Sequence, residues 1–237
     1  MRPERHRKLR RVLESRQPDL TVLMERVNKA HNFSAILRNC DAVGVLQVHA
    51  VVTRRGIDLD PQTSAGTGKW IDVVEHDTIG AAADALHAGG FSIIAAHPGD
   101  GARDYRDLDL TAPTAFMMGA ELDGISPAGL ALADEVVVIP MIGMAQSLNV
   151  SVATALLLFE AFRQRDAAGM HAESRIPPED RERILFEWGY PRIAQRLRNE
   201  GRAYPALDER GAIVDPLTTP FSRAETGGIP PDPETES

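Results

Sequence analysis

The stretch Val136-Val137-Val138-Ile139-Pro140-Met141-Ile142-Gly143-Met144-Ala145-Gln146-Ser147-Leu148-Asn149-Val150-Ser151-Val152 opens as a strand and closes as a helix. Its β-branched start reads as a strand buried on both faces, which ends at Pro140 because proline has no amide to give the next ladder bond. Asn149 stands where a side-chain oxygen caps the following helix. That helix runs from about Asn149 to Ala168, and its first half, Val150 to Phe159, is apolar nearly all round, a pattern expected of a helix buried on most sides. Between strand and helix lie Ile139, Met141, Ile142, Met144 and Leu148, an apolar loop at the edge where open α/β sheets bind ligands. From the residues alone two readings stay open. The loop is buried by its own chain, or it packs on an apolar ligand such as adenine, held without a glycine fingerprint if the cofactor has no phosphates.

Five further runs read as strands: Leu20 to Met24, Val48 to Val52, Ile71 to Val74, Phe91 to Ala96 and Ala115 to Met118. Helical patterns fall near Asn32 to Val43, Thr78 to Ala88 and Ser126 to Ala133, so the order is that of an α/β fold with a mostly parallel, doubly wound sheet. Two shorter helices lie outside this block. Residues 4 to 15 set Leu9, Val12 and Leu13 against Arg7, Lys8, Arg10 and Arg11. Residues 191 to 202 set Ile193, Ala194 and Leu197 against Arg192, Arg196, Arg198 and Arg202. The residues after Asp215, rich in Pro, Gly, Thr and Glu, read as a disordered tail.

The whole chain, 237 residues with a formal charge of -8, argues weakly against a nucleic-acid partner. The distribution of that charge says more. Residues 1 to 16 carry seven Lys/Arg and two Glu, net +5, while residues 17 to 170 carry ten basic and nineteen acidic, net -9. Residues 171 to 202 are net +1 and residues 203 to 237 net -5. A single cysteine, Cys40, excludes an internal disulfide and fits a reducing cytoplasm. No secretory signal, membrane span or metal-ligand spacing is expected. Gly66-Thr67-Gly68-Lys69-Trp70 lacks the leading glycine and the final Ser/Thr of a phosphate loop, and Ile71 occupies the third glycine position of a dinucleotide fingerprint.

Two other segments bear on chemistry. In Asn28-Lys29-Ala30-His31-Asn32-Phe33-Ser34-Ala35-Ile36-Leu37-Arg38-Asn39-Cys40-Asp41, Asn32 sits where it can cap a helix, and Arg38 follows about 120° around from it. Arg38 reads as a solvated residue, an ion-pair partner of Asp41 or a phosphate ligand, the first two together being favoured. In Met117-Met118-Gly119-Ala120-Glu121-Leu122-Asp123-Gly124-Ile125-Ser126, a carboxylate stands in a glycine-flanked turn after a strand, where capping the next helix is the commoner role.

Together the three segments resemble the motifs of the SpoU branch of the trefoil-knotted SPOUT RNA methyltransferases. Asn32 and Arg38 match an early Asn-(five residues)-Arg, Gly119, Glu121 and Gly124 a middle Gly-x-Glu-x-x-Gly, and Ile139 through Ser151 a late Ile-Pro-Met-x-Gly-x-x-x-Ser-Leu-Asn-Val-Ser. The flanks Arg16-Gln17-Pro18-Asp19-Leu20-Thr21-Val22 and Leu185-Phe186-Glu187-Trp188-Gly189-Tyr190-Pro191 are similar to the terminal extensions of the tRNA guanosine 2'-O-methyltransferase family. The likeness covers about residues 1 to 215.

The resemblance implies a cytoplasmic homodimer, with residues 1 to 16 as a basic arm, 17 to 170 as a methyltransferase domain whose C-terminal part is knotted, 171 to 215 as a helical extension and 216 to 237 as the tail. It implies S-adenosylmethionine in the knot, held by Ala96, Gly119, Ile139, Met141 and Leu148. Ala96 departs from the threonine that close relatives can carry, a change that a backbone contact survives and a hydroxyl contact does not. The implied reaction moves a methyl group to the 2'-oxygen of guanosine 18 in the tRNA D-loop. Catalysis would fall to Arg38, Asn32, Glu121, Ser147 and Asn149, with tRNA bound by Arg7, Lys8, Arg10, Arg11, Arg192, Arg196, Arg198 and Arg202, and more broadly by the positive run from Arg2 to Arg16. A guanidinium, with a pKa above about 12, is a poor base. The preferred role for Arg38 is to bind an adjacent phosphate and stabilise the forming alkoxide. A ribosomal RNA 2'-O-methyltransferase of the same branch and a non-catalytic RNA-binding protein with the knotted fold are the competing readings.

Overall fold

The computed structural model describes residues 1–52, 69–99, 101–120 and 123–214. The expectation of a disordered tail falls on residues outside these, as do Gly66 to Gly68 and Glu121. The chain divides into two compact units, one of Glu14–Ile176 and one that joins Met1–Leu13 to the segment from Pro177 onward.

The first unit is built on a seven-stranded sheet: β1 (Leu20–Glu25), β2 (Gln47–Val51), β3 (Asp72–His76), β4 (Ser92–Ala96), β5 (Arg103–Asp104), β6 (Thr114–Met118) and β7 (Glu135–Val138). The order is β3-β2-β1-β6-β4-β7-β5, and every pairing is parallel. Parallel strands need crossovers, which helices α2 (Ala30–Ala42), α3 (Ile79–Ala88), α4 (Pro127–Leu132) and α5 (Val150–Ala167) supply or follow. The central strands β1 and β6 are buried throughout, as their uninterrupted apolar runs require. Alternate residues serve opposite faces. Val22, Met24, Phe116 and Met118 pack with Phe33, Ile36 and Leu37 of α2 and Leu157, Leu158 and Ala161 of α5. Leu23, Ala115 and Met117 pack with Ala82, Ala83 and Leu86 of α3.

Two buried arginines hold this unit together. Arg165, 0% exposed, donates to Asp19 Oδ1 at 2.6 Å, to Gln17 Oε1 at 3.2 Å and to the carbonyls of Leu110 and Ala112. Arg16, 1% exposed, donates to Asp41 and to the Val45 carbonyl. The positive surface expected from Arg2 to Arg16 therefore stops short of Arg16, whose charge is spent inside the protein.

Three further expectations change. Helix α2 begins at Ala30 with Lys29 before it, so Asn32 lies inside the helix and does not cap it. Helix α5 is buried on only part of its circumference, since Val152, Leu156 and Phe159 remain 48%, 38% and 50% exposed. Helix α6 (Pro178–Gly189) was not foreseen. Its apolar residues come consecutively, Ile184, Leu185 and Phe186, behind a charged first half, so no helical period stands out.

The second unit contains α1 (Pro3–Glu14, whose last residue belongs to the first unit), α6 and α7 (Pro191–Asn199). Phe186, Ile193, Ala194 and Leu197 form its core, with Tyr204 stacked on Phe186 at 4.9 Å between ring centroids. Buried His6 of α1 lies against Gly211, where a Cβ would come within 2.7 Å of the imidazole.

Candidate active site

Ala96 ends β4, Gly119 follows β6 and Ile139 follows β7, so all three lie at the carboxyl edge of neighbouring parallel strands. In that register Ala96 pairs with Val137, and Ala95 with Met117. Ala96 and Ile139 are half-buried against the same core. Gly119 admits no side chain: a Cβ there would stand 2.1 Å from the Gly124 carbonyl carbon and 2.2 Å from the Ile125 nitrogen. The turn closes on itself because Ala120 and Gly124 exchange backbone hydrogen bonds of 3.0 and 2.9 Å, with Gly124 at φ +64. Both glycines of the middle motif thus have a steric reason.

The loop from Ile139 to Asn149 is not covered by the described residues. Met141 and Leu148 are each 37% exposed, Ile142 and Met144 fully so, and Ser147 is exposed. Of the two readings open from the sequence, burial by the described part of the chain is excluded, and an apolar surface remains at the ligand-binding edge.

Asn149 joins this loop to the early motif. Its Oδ1 accepts from the Ser151 amide at 2.9 Å and the Ser151 hydroxyl at 2.6 Å, which caps α5 as expected. Its Nδ2 donates to Oδ1 of Asn32 at 3.1 Å. Asn32 is 2% exposed, so its amide acts through Asn149. Asn39, not singled out from the sequence, donates to the Ser151 carbonyl at 2.9 Å and ties the same two helices. Glu25 was also missed. This buried carboxylate at the end of β1 accepts from the Ser126 amide at 2.8 Å and anchors the end of the Gly119–Gly124 turn. Nothing in the local sequence marks either residue, because both partners are distant in the chain.

Arg38 is exposed on α2. Its expected alternative partner, Asp41, is taken by Arg16, so no Arg38–Asp41 ion pair forms. Cys40 is fully buried, and burial pushes its thiol far above the ordinary range, which leaves it inert as a nucleophile.

Residues 19–159 match the SpoU rRNA Methylase family, and residues 163–216 match the C-terminal SpoU rRNA methylase domain. The chain belongs to the SpoU methylase family. This SpoU methylase is 47% identical over 215 residues, 90% of its length and 94% of the relative's, to the tRNA (guanosine(18)-2'-O)-methyltransferase of Escherichia coli K12. The Aquifex aeolicus TrmH/SpoU tRNA modifying enzyme superposes with a TM-score of 0.76 at 40% identity, covering 80% of this chain and 97% of that one. The SpoU methyltransferase AviRb of Streptomyces viridochromogenes, solved in complex with the cofactor AdoMet, gives a TM-score of 0.58 at 28% identity over 65% of this chain and 62% of its own.

The second unit of the SpoU methylase carries the predicted RNA-binding cations. Arg7, Lys8, Arg11, Arg192, Arg198 and Arg202 are exposed, and Arg10 and Arg196 partly so. Several are engaged at the surface: Arg7 with Glu4 at 3.7 Å, Arg10 with Glu182 at 3.6 Å, Arg196 and Arg202 both with Glu200, and Arg198 with Glu187 at 3.5 Å. Exposed pairs of this kind are weak enough for phosphate to displace the carboxylate. No helix among the described residues is long and apolar enough to cross a membrane.

Proposed function

We propose that this protein transfers a methyl group from S-adenosylmethionine to the 2'-oxygen of guanosine 18 in the tRNA D-loop. The single observation that carries the chemistry is the Asn32–Asn149 hydrogen bond, which fixes the apolar loop after β7 against the helix that bears Arg38. The choice of substrate rests on the likeness to the E. coli enzyme, which spans nearly the full length of both chains.

The residues present suit the cofactor: an apolar strip at Ile139, Met141 and Leu148 for adenine, at the carboxyl edge of the sheet where Gly119 closes its tight turn. S-adenosylmethionine supplies an electrophilic methyl group on a sulfonium. The 2'-hydroxyl is a poor nucleophile until its developing charge is stabilised. Arg38, exposed and without an ion pair among the described residues, binds the adjacent phosphate and stabilises that charge, while the proton passes to water. Asn149 and Ser147 orient the ribose, Asn32 holds Asn149, and Glu121 is assigned with them from the motif alone. The arms at Arg7, Lys8, Arg10, Arg11, Arg192, Arg196, Arg198 and Arg202 bind tRNA backbone.

The reading includes a cytoplasmic homodimer and a knotted domain. Support for the dimer comes from the exposed stripe Val152, Leu156 and Phe159 on α5, spaced as one helix face, beside Tyr105. Support for the knot comes from β7, which lies between β4 and β5 although it follows both in the chain.

Labelled S-adenosylmethionine and unmodified tRNA transcripts, with the modified nucleotide mapped, provide the test. Label on the guanosine 18 ribose is expected, and label on ribosomal RNA alone, or on neither, overturns the proposal. Arg38→Lys is expected to lose most turnover at neutral pH, and near-normal turnover would remove any role for the planar fork.

A further inference from the structure

Arg26 is the one non-glycine residue among the described residues with a positive φ, at 56°. Left-handed backbone suits glycine, and to a lesser degree Asn and Asp, whereas an arginine there holds strain that its neighbours must enforce. Glu25, directly before it, is buried, and its carboxylate accepts the Ser126 amide at 2.8 Å. Arg26 follows directly on the carboxyl end of β1, where Met24 pairs with Met118 and the next residue of β1 is level with Gly119. Here the strand order reverses, with β2 and β3 on one side of β1 and β6, β4, β7 and β5 on the other. A crevice at such a switch point is where open α/β sheets take ligands.

The guanidinium has little to do within the protein. Its side chain is 40% exposed, its Nη2 stands 3.9 Å from Glu25 Oε1, and its Nε is buried without a hydrogen-bond partner, so the exposed part of the fork is its Nη end. The segment that follows Glu25 is basic: residues 26 to 38 contain Arg26, Lys29 and Arg38 and no acidic residue, within a stretch from 17 to 170 that is otherwise net acidic. Lys29 and His31 are exposed on the same segment. A partly exposed guanidinium held only by a 3.9 Å contact, at the carboxyl edge of the sheet and on the segment that leads into the helix of Arg38, matches the recognition of a backbone phosphate.

We infer that Arg26 is an RNA phosphate ligand that seats the strand flanking the methylated nucleotide, so that the loop between β1 and α2 binds RNA independently of the two basic arms. The inference rests on the RNA reading above, and its test separates the two. Arg26→Gly removes the side chain and also relieves the backbone, so a merely structural arginine would give a variant at least as stable and as active as the wild type. The expected result is an unchanged or higher Tm, unchanged cofactor affinity, and a fall of about tenfold or more in kcat/KM for tRNA transcripts, carried by KM. The slope of log affinity against log salt should become shallower by about one, the signature of one lost phosphate contact. Arg26→Lys, which keeps the charge, should recover most of that slope. Equal tRNA affinity and salt slope in wild type and Arg26→Gly overturn the inference. A wild type that binds but does not methylate tRNA overturns the parent reading instead, and the binding comparison still decides the role of Arg26.

Discussion

Arg165 in the sheet unit and Arg198 in the helical unit are the same side chain put to opposite uses. Arg165 is sealed in, with its donors satisfied by Gln17, Asp19, Leu110 and Ala112, whereas Arg198 lies at the surface with a loose contact to Glu187. The first charge cannot be exchanged for a ligand's, and the second can. Arg11 and Arg16 make the same contrast within a single basic run, one exposed and the other buried against Asp41. Burial, rather than residue type or local charge, separates arginines that build the fold from those that stand at the surface.

The largest effect expected from breaking this contrast comes from Arg165→Met. Removing one partner of a buried ion pair costs about 3–5 kcal/mol, and here the Leu110 carbonyl and Gln17 Oε1 lose their donor, while Asp19 keeps Arg175 and the Ala112 carbonyl keeps Thr114. At about 2–4 °C per kcal/mol for a chain of this size, Tm in thermal melts should fall by roughly 10 °C or more. Neutralising Arg7, Lys8, Arg10 and Arg11 together should leave Tm nearly unchanged. It should weaken tRNA binding by about tenfold or more and flatten its salt dependence while sparing cofactor affinity, read by filter binding across a salt series.

The Asn32–Asn149 pair lies between these extremes, one amide buried and the other at the surface. Asn149→Ala should cost about 1 kcal/mol through the lost cap of α5. A double-mutant cycle with Asn32→Ala should give a coupling of about 0.5–1.5 kcal/mol, and additive effects would show that the bond does not couple the two motifs.

The smallest effect is on pH dependence. His49 is held down to about 4, first by burial and then by His76, whose Nε2 lies 2.9 Å from its Nδ1. An imidazole with a folded pKa below its unfolded value of about 6.5 contributes stability that is fully present above the unfolded value. The unfolded chain binds the extra proton between the two values, so stability falls as pH drops from about 6.5 toward 4. Thermal melts of His49→Asn over that window should show a shallower decline than the wild type.

Legibility in the sequence followed the range of the interaction. The strand at Val136 to Val138, the cap at Asn149 and the steric need for glycine after β6 depend on neighbours within a few residues, and periodicity or residue type signals them. Asn32 was misplaced as a cap because its partner lies 117 residues away and because the chain enters α2 already at Ala30. Helix α6 was passed over because its burial comes from Tyr204 and the residues of α7, which local pattern cannot anticipate.

The sequence by itself determined the parallel α/β class, the family and the residue types at the site, since each follows from local pattern or from a motif of fixed spacing. Only the tertiary structure decided which charges are spent, which face of α5 stays bare, and that Arg26 takes a left-handed backbone next to a buried Glu25. Those outcomes depend on which distant backbone closes over a side chain, and a long-range closure leaves no period in the chain.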